Sequence, residues 1–501
     1  MRWPRCAISN LQFAVCILQS LIVSSSAAED RGWAYQPYRV HALLALEVPG
    51  GLSQPFADEL PVYLRRRVDA AFGPLWSFEI ELAAGVARHR VFSKVADDGT
   101  NPPTGMPSGG DKLLLLAVGS SHDGLHVVAR EFDRYAQRWG APLRSHCRQT
   151  EALPEHLFAL AGQAVAPLAQ LELEPEDDQR VRLVPRGAAL VRQGSDALAL
   201  QPGDVLLPIV RRTMRGGELV EGGIQVVPWT YLEVVPGDGA SPAPSPANSA
   251  AASAVEDETR RQFSIIARVH SANRRPFGVR RQGNVEQLAV ALRAAPGLTI
   301  LRLHSRTNPQ KPLVGYEVFA QNPADPSLLL LGTTDGGGRL SVGPGPARIR
   351  TLYLKNGGQL LARLPVVPGA QPQLDVPLPD DDPRLTAEAR LAALREELID
   401  VVARRNILMA RTRQRIRQRD FKAAQKLLAD ADQLPGRPQF NLTLTTAART
   451  LRSDDPQIQR RIDQLVEATQ TVMNQFLDLR PINELHDELR AAQNAAEKKP
   501  R

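Results

Sequence analysis

Residues 1–28 constrain this chain more than any other stretch. Arg2 and Arg5 open it, an apolar run from Phe13 to Val23 follows with Gln19 and Ser20 inside it, and Ser24-Ser25-Ser26-Ala27-Ala28 leads into Glu29-Asp30. A translocase and a signal peptidase read that order, so the sequence predicts a secretory signal cleaved after Ala28. The run is short of the ~20 apolar residues that span a bilayer, which favours a cleaved leader over a retained anchor. Cys6 and Cys16 leave with the leader, and no Cys at the cut points to a lipid anchor. Cys147 then stands alone. One thiol makes no internal disulfide, so each module of an exported chain must be held by packing.

At 501 residues the chain exceeds one hydrophobic core, and three or four units are expected. The 43% apolar and 23% charged fractions are those of globular domains. The formal charge of +7 includes Arg2 and Arg5, so the part after residue 28 carries +5. That mild excess predicts no nucleic-acid partner and favours peripheral contact with an anionic membrane or cell wall.

Periodicity divides the remainder into a multidomain α+β chain. Residues 33–175 read as an α/β domain. Tyr38, Val40, Ala42, Leu44 and Leu46 alternate as a strand; Phe56, Leu60, Leu64 and Val68 stripe a helix over 53–72 that stops at Gly73; Trp76, Phe78, Ile80 and Leu82 alternate again. After a loop over 97–111, a strand from Leu113 to Val118 and another over 125–133 form a hairpin across Ser-His-Asp-Gly. A helix striped by Leu153, Leu157, Leu160, Ala164 and Leu168 closes the unit. Residues 179–235 read as a small β-barrel with strands at 181–184, 188–191, 205–210, 218–220, 224–227 and 230–235. The Pro/Ser/Ala-rich stretch 236–260 reads as a linker and a domain boundary. Residues 261–378 read as a β-sandwich with a hairpin at Asp335-Gly336-Gly337-Gly338, and 384–495 as a helical bundle. Leu391, Leu394, Leu398 and Val401 give the bundle a coiled-coil-like seam.

Three stretches resemble known families. The sheet order of the first unit, with Gly124-Leu125-His126-Val127-Val128-Ala129-Arg130-Glu131-Phe132-Asp133, resembles the TolB N-terminal-like α/β domain, and that resemblance implies protein partners. Residues 300–360, with Thr334-Asp335-Gly336-Gly337-Gly338, resemble the transthyretin-like sandwiches that accompany carboxypeptidases. Residues 385–436 are similar to a tetratricopeptide hairpin, ending at Leu434-Pro435-Gly436.

Motifs for chemistry are sparse. His122, His126, His146, Cys147 and His156 are zinc-type donors, but their spacing matches no known metal framework. Gly119-Ser120-Ser121-His122-Asp123 holds the residue types of a nucleophilic triad, yet neighbours in a turn do not face one another. Gly336-Gly337-Gly338 precedes a strand and lacks the Gly-Lys-Ser/Thr of a phosphate loop. Arg411, Arg413, Arg415, Arg417 and Arg419 divide between two faces of a helix and read as a solvated surface. No catalytic residue, cofactor or metal is therefore assigned from sequence. The reading is an exported cell-envelope scaffold or protein-binding module, periplasmic or extracellular, that binds an envelope or surface protein and is not an enzyme. Two alternatives stand beside it. One is an envelope hydrolase with a cleft lined by His122, His126, Asp133 or His156. The other is a cell-wall carbohydrate-binding protein using Phe263, Phe277, Tyr316, Phe319 and Tyr353.

Overall fold

The computed structural model describes residues 32–497 apart from 48–51, 97–102, 108, 174–176, 178, 192–199, 215, 217, 237–262, 279–283, 294–296 and 323–324. The expected leader and most of the expected linker lie outside the described residues. Among the described residues no helix is long and apolar enough to cross a membrane.

The first unit is built on β1 (Tyr38–Glu47), which pairs in parallel with β2 (Trp76–Leu82) and β3 (Lys112–Ser121). β3 turns back into the antiparallel β4 (Gly124–Asp133), and β5 (Arg138–Trp139) and β6 (Leu143–Cys147) both pair with β4. Helices cover both faces. α1 (Gln54–Phe72) and α3 (Leu153–Ala164) pack with Val40, Ala42, Leu44, Leu114 and Leu116. α2 (Gly85–Ala96) packs Val91 and Val95 on the other face, against Leu43, Ala45, Leu113 and Leu115. That explains why β3 reads as an unbroken leucine run: a strand buried on both sides has no polar phase. Ser53 caps α1 by accepting from the Phe56 N–H, and Gly73 ends it at φ 46°. Buried Leu60 and Leu64 each contribute about 2 kcal/mol by leaving water.

The barrel is larger than expected. β8 (Arg180–Pro185), β9 (Val205–Thr213), β10 (Leu219–Val226) and β11 (Thr230–Val234) come from 179–235. Closure needs β7 (Leu168–Leu173) from before that range and β12 (Ile265–Ser271) and β13 (Asn284–Ala291) from after it. β9 pairs with β11 and β13, and β12–β8–β7–β13 complete an antiparallel ring. Three expectations are corrected here. Leu168 opens a strand because Pro167 follows the end of α3 and cannot continue a helix. The expected strand at 188–191 is a turn of 3-10 helix, Ala188–Leu190. The stretch 236–260 separates no domains: β11 and β12 flank it and pair directly, Val234 opposite Ala267.

The sandwich accordingly begins at β14 (Thr299–Ser305) rather than at 261. β14 lies between β17 (Arg339–Val342) and β20 (Gln373–Leu378). The facing sheet has the order β16 (Asp325–Thr333), β15 (Glu317–Asn322), β18 (Arg350–Asn356), β19 (Gln359–Val366). Leu301, Leu303, Tyr316, Val318, Leu352 and Val376 fill the space between. Five helices follow: α4 (Asp382–Arg417), α5 (Phe421–Asp432), α6 (Arg437–Thr450), α7 (Pro456–Phe476) and α8 (Arg480–Glu497). Leu391, Leu394, Leu398 and Val401 of α4 pack on Phe440, Leu444 and Met473, so the seam is spent inside the bundle.

Candidate functional site

The junction between the α/β unit and the barrel concentrates buried charge. Lys112 opens β3 directly opposite Asp133 of β4, and the two-residue period of the strand puts Glu131 on the same face. Lys112 is 1% exposed. Its Nζ lies 2.5 Å from Glu131 Oε1 and 2.7 Å from Asp133 Oδ2, and donates to the Ala166 carbonyl at 2.6 Å. Glu131 Oε2 accepts the Ala166 N–H at 2.7 Å, and Asp133 Oδ1 accepts the N–H groups of Tyr135 and Ala136. Burial pushes the Lys112 ammonium down, but Asp133 and Glu131 outweigh it and the net shift is upward. Burial pushes the Glu131 carboxyl up to about 7 despite Lys112.

A second ion cluster lies beside the first. Asp111 receives Arg39 at 3.1 Å and Arg186, the residue after β8, at 2.8 Å. Burial works to raise the Asp111 carboxyl, and the Arg39 hydrogen bond and the Arg186 charge overcome it and hold it low. Arg186 also donates to the Pro37 carbonyl and sits among the rings of Trp33, Tyr38 and Tyr135. Sheet and barrel are thus joined by ions whose removal from water is repaid only in this arrangement.

A small cleft of about 40 Å³ opens at this junction, lined by Glu131, Asp133, Arg138, Trp139, Leu292 and Arg293 among others, with Ala370 of the sandwich also in its lining. Glu131 has the pKa of a general acid or base at neutral pH. Its carboxylate is occupied by Lys112 and the Ala166 N–H, however, and among the described residues the lining holds no Ser, Thr, Cys or His. Of the four residues proposed for a hydrolase cleft, Asp133 alone lines it.

The histidines gather elsewhere, at the β3–β4 turn. His126 of β4 is paired with His146 of β6, and their ring centroids are 5.1 Å apart. Asp123, in the turn, places Oδ1 3.3 Å from His126 Nε2 and Oδ2 3.5 Å from His146 Nε2. His122 is exposed on the same turn, so Ser120, Ser121 and His122 build a hairpin end rather than a triad. Cys147 points to the opposite side of β6, is buried in the core, and donates to the Gln149 carbonyl at 2.8 Å. His156 of α3 is hydrogen-bonded to Ser145 Oγ at 2.9 Å. Sequence spacing separated these residues into strand, turn and helix; the missing member was Asp123, whose role depends on β6 folding back beside the turn.

On the surface, β16 stands out. It is an edge strand of its sheet among the described residues and carries Leu328-Leu329-Leu330-Leu331. Leu329 is 62% exposed and Leu330 52%. The aromatics considered for carbohydrate binding are placed otherwise: Tyr316 and Phe277 are buried, Phe263 meets Tyr35 edge to face, and Phe319 and Tyr353 lie under Lys355 and Arg363. Arg411, Arg413, Arg415 and Arg417 are exposed on α4, with Arg413 3.6 Å from Glu488 and Arg415 3.6 Å from Asp420.

No family model and no curated protein matches this chain. Among solved structures, the crystal structure of TolB from Acinetobacter baumannii aligns at 11% identity over 70% of this chain and 97% of that chain, with a TM-score of 0.17. A superposition with that score carries no argument about fold or function.

Proposed function

We propose that this chain is an exported cell-envelope binding protein that captures an extended segment of a partner protein along β16, and that it is not an enzyme. The observation that carries the reading is the exposure of Leu329 and Leu330 on an edge strand of the described sheet. An edge strand can take up an added strand through its main-chain donors and acceptors, and exposed apolar side chains on it mark a docking surface. β16 opens with Asp325-Pro326, but its second half presents Leu329 and Leu330 to solvent, one toward each side of the strand, which suits an extended apolar partner segment laid beside it. The cleft supports the non-catalytic part, because its carboxylates are committed to Lys112 and backbone. The location rests on the leader read in residues 1–28.

A photo-crosslinking residue at the exposed Thr333 of β16, activated in cells, tests this surface. We expect discrete protein adducts that disappear when Leu329→Lys and Leu330→Lys are combined, with the far-UV spectrum unchanged. No adduct, or adducts that persist in the Lys variant, overturns the reading. A mature N-terminus at Glu29 in an envelope fraction tests the location independently.

A further inference from the structure

The two imidazoles and the carboxylate at the β3–β4 turn suit one ligand better than they suit each other. We propose that Asp123, His126 and His146 form a binding site for a divalent metal ion of the zinc class. All three donor groups lie within 4.8 Å of one another. Both histidines direct Nε2 at the same carboxylate, one at each oxygen, at 3.3 and 3.5 Å. These separations are long for charge-assisted hydrogen bonds. They match the spacing of about 3.3–3.5 Å between neighbouring ligands of a tetrahedral zinc with bonds of about 2.0–2.2 Å.

The backbone supports this placement. Direct pairing of His126 with His146 fixes the two imidazoles side by side on adjacent strands. Gly124, at φ 137°, lets the turn pass close above β6: a Cβ there would lie 2.7 Å from the Cys147 carbonyl and 2.9 Å from His146 Nε2. Any other residue would push Asp123 off His146. His146 Nε2 is itself shielded from solvent and, beyond the 3.5 Å approach of Asp123, makes no hydrogen bond among the described residues. A buried ring nitrogen without a hydrogen-bond partner is costly, and a metal ion aligned with Asp123 and His126 would satisfy it.

Donor chemistry selects the ion class. Two imidazoles with one carboxylate suit zinc, copper or nickel, whereas magnesium and calcium require sets of oxygen ligands. The three side chains are 48%, 49% and 32% exposed, so a coordination position faces solvent for water or a donor from another molecule. A bound ion would clip the end of the β3–β4 hairpin to the edge strand β6.

The test uses untagged protein, stripped with EDTA, dialysed, and titrated calorimetrically with zinc sulfate and, separately, magnesium chloride. We expect one equivalent of zinc to bind with Kd below about 10 μM and magnesium to give no saturable heat. Asp123→Asn should weaken zinc binding at least about 10-fold and His126→Ala with His146→Ala at least about 100-fold, while His304→Ala leaves it unchanged. The isosteric Asn variant keeps the test decisive should the double variant misfold. Absence of saturable zinc uptake by the wild type, or unchanged affinity in Asp123→Asn and the folded double variant, overturns the proposal.

Discussion

A lysine placed in a strand buried on both faces must find its counter-charges inside the protein, and Lys112 finds two carboxylates and a carbonyl. Removing it strands Glu131 and Asp133 in a dry junction. Lys112→Met should therefore destabilise the protein by about 3–5 kcal/mol in chemical denaturation, although Met fills much of the same volume. A loss below ~1 kcal/mol would show that water reaches the carboxylates. Glu131 gives a pH signature as well. Its carboxyl is raised from an ordinary 4.5 to about 7 by burial. A group that holds its proton more tightly when folded adds stability that is fully present below pH 4.5 and is lost as pH rises through about 7. Between about pH 5 and 8 the wild type should thus lose roughly 2 kcal/mol relative to Glu131→Gln, which keeps the neutral form. Parallel urea-melt curves for the two proteins would contradict this. Little of it was legible beforehand. The sequence marks 125–133 as a strand, but the Glu131 contact with Ala166 and the Arg186 pairing with Asp111 arise between chain segments far apart.

Elements were legible where one stripe did all the burying. α1 follows Leu60, Leu64 and Val68, as the sequence predicts, because that face meets the sheet along its whole length. α2 carries Val91 and Val95 inward with Phe92 half-buried between them, beside Arg88, His89 and Arg90, and so left no clear period. The β11–β12 pair escaped for a different reason: composition reports that a segment has no core of its own, not whether its ends meet. Here they do, with Thr230 opposite Ser271 and Val234 opposite Ala267. A protease site engineered within 245–255 and then cut should leave two fragments that co-elute as one species on native size exclusion and part only in denaturant. Fragments that separate in native buffer would restore a domain boundary there.

Across the whole molecule, the expected train of modules on a tether is replaced by shared seams. Lys112 and Arg186 join the α/β unit to the barrel. Val205, Leu207 and Tyr231 of the barrel pack with Ile349 and Val367 of the sandwich. Tyr316 of the sandwich accepts the Asp381 N–H at the start of α4, and Arg306 pairs with Asp455 beside α7 at 2.9 Å. Fold class was within reach because each module keeps its own periodicity. The seams were not, because a residue that packs across modules looks in sequence like any other core or surface position.

The barrel's ring of strands also sets an order in time. Gln170 of β7 pairs early with Val184 of β8 but finds its second neighbour only when Leu288 has been made, and one side of β9 likewise waits for β13. A chain delivered N-terminus first therefore carries a barrel lacking one strand of its ring, with the edges of β7 and β9 unsatisfied, until residue 291 is available. Such distant pairings are slow to form. Ring closure by β13 is thus expected to be the late step of folding, and the interval before it is when this protein is most exposed to mispairing with other chains.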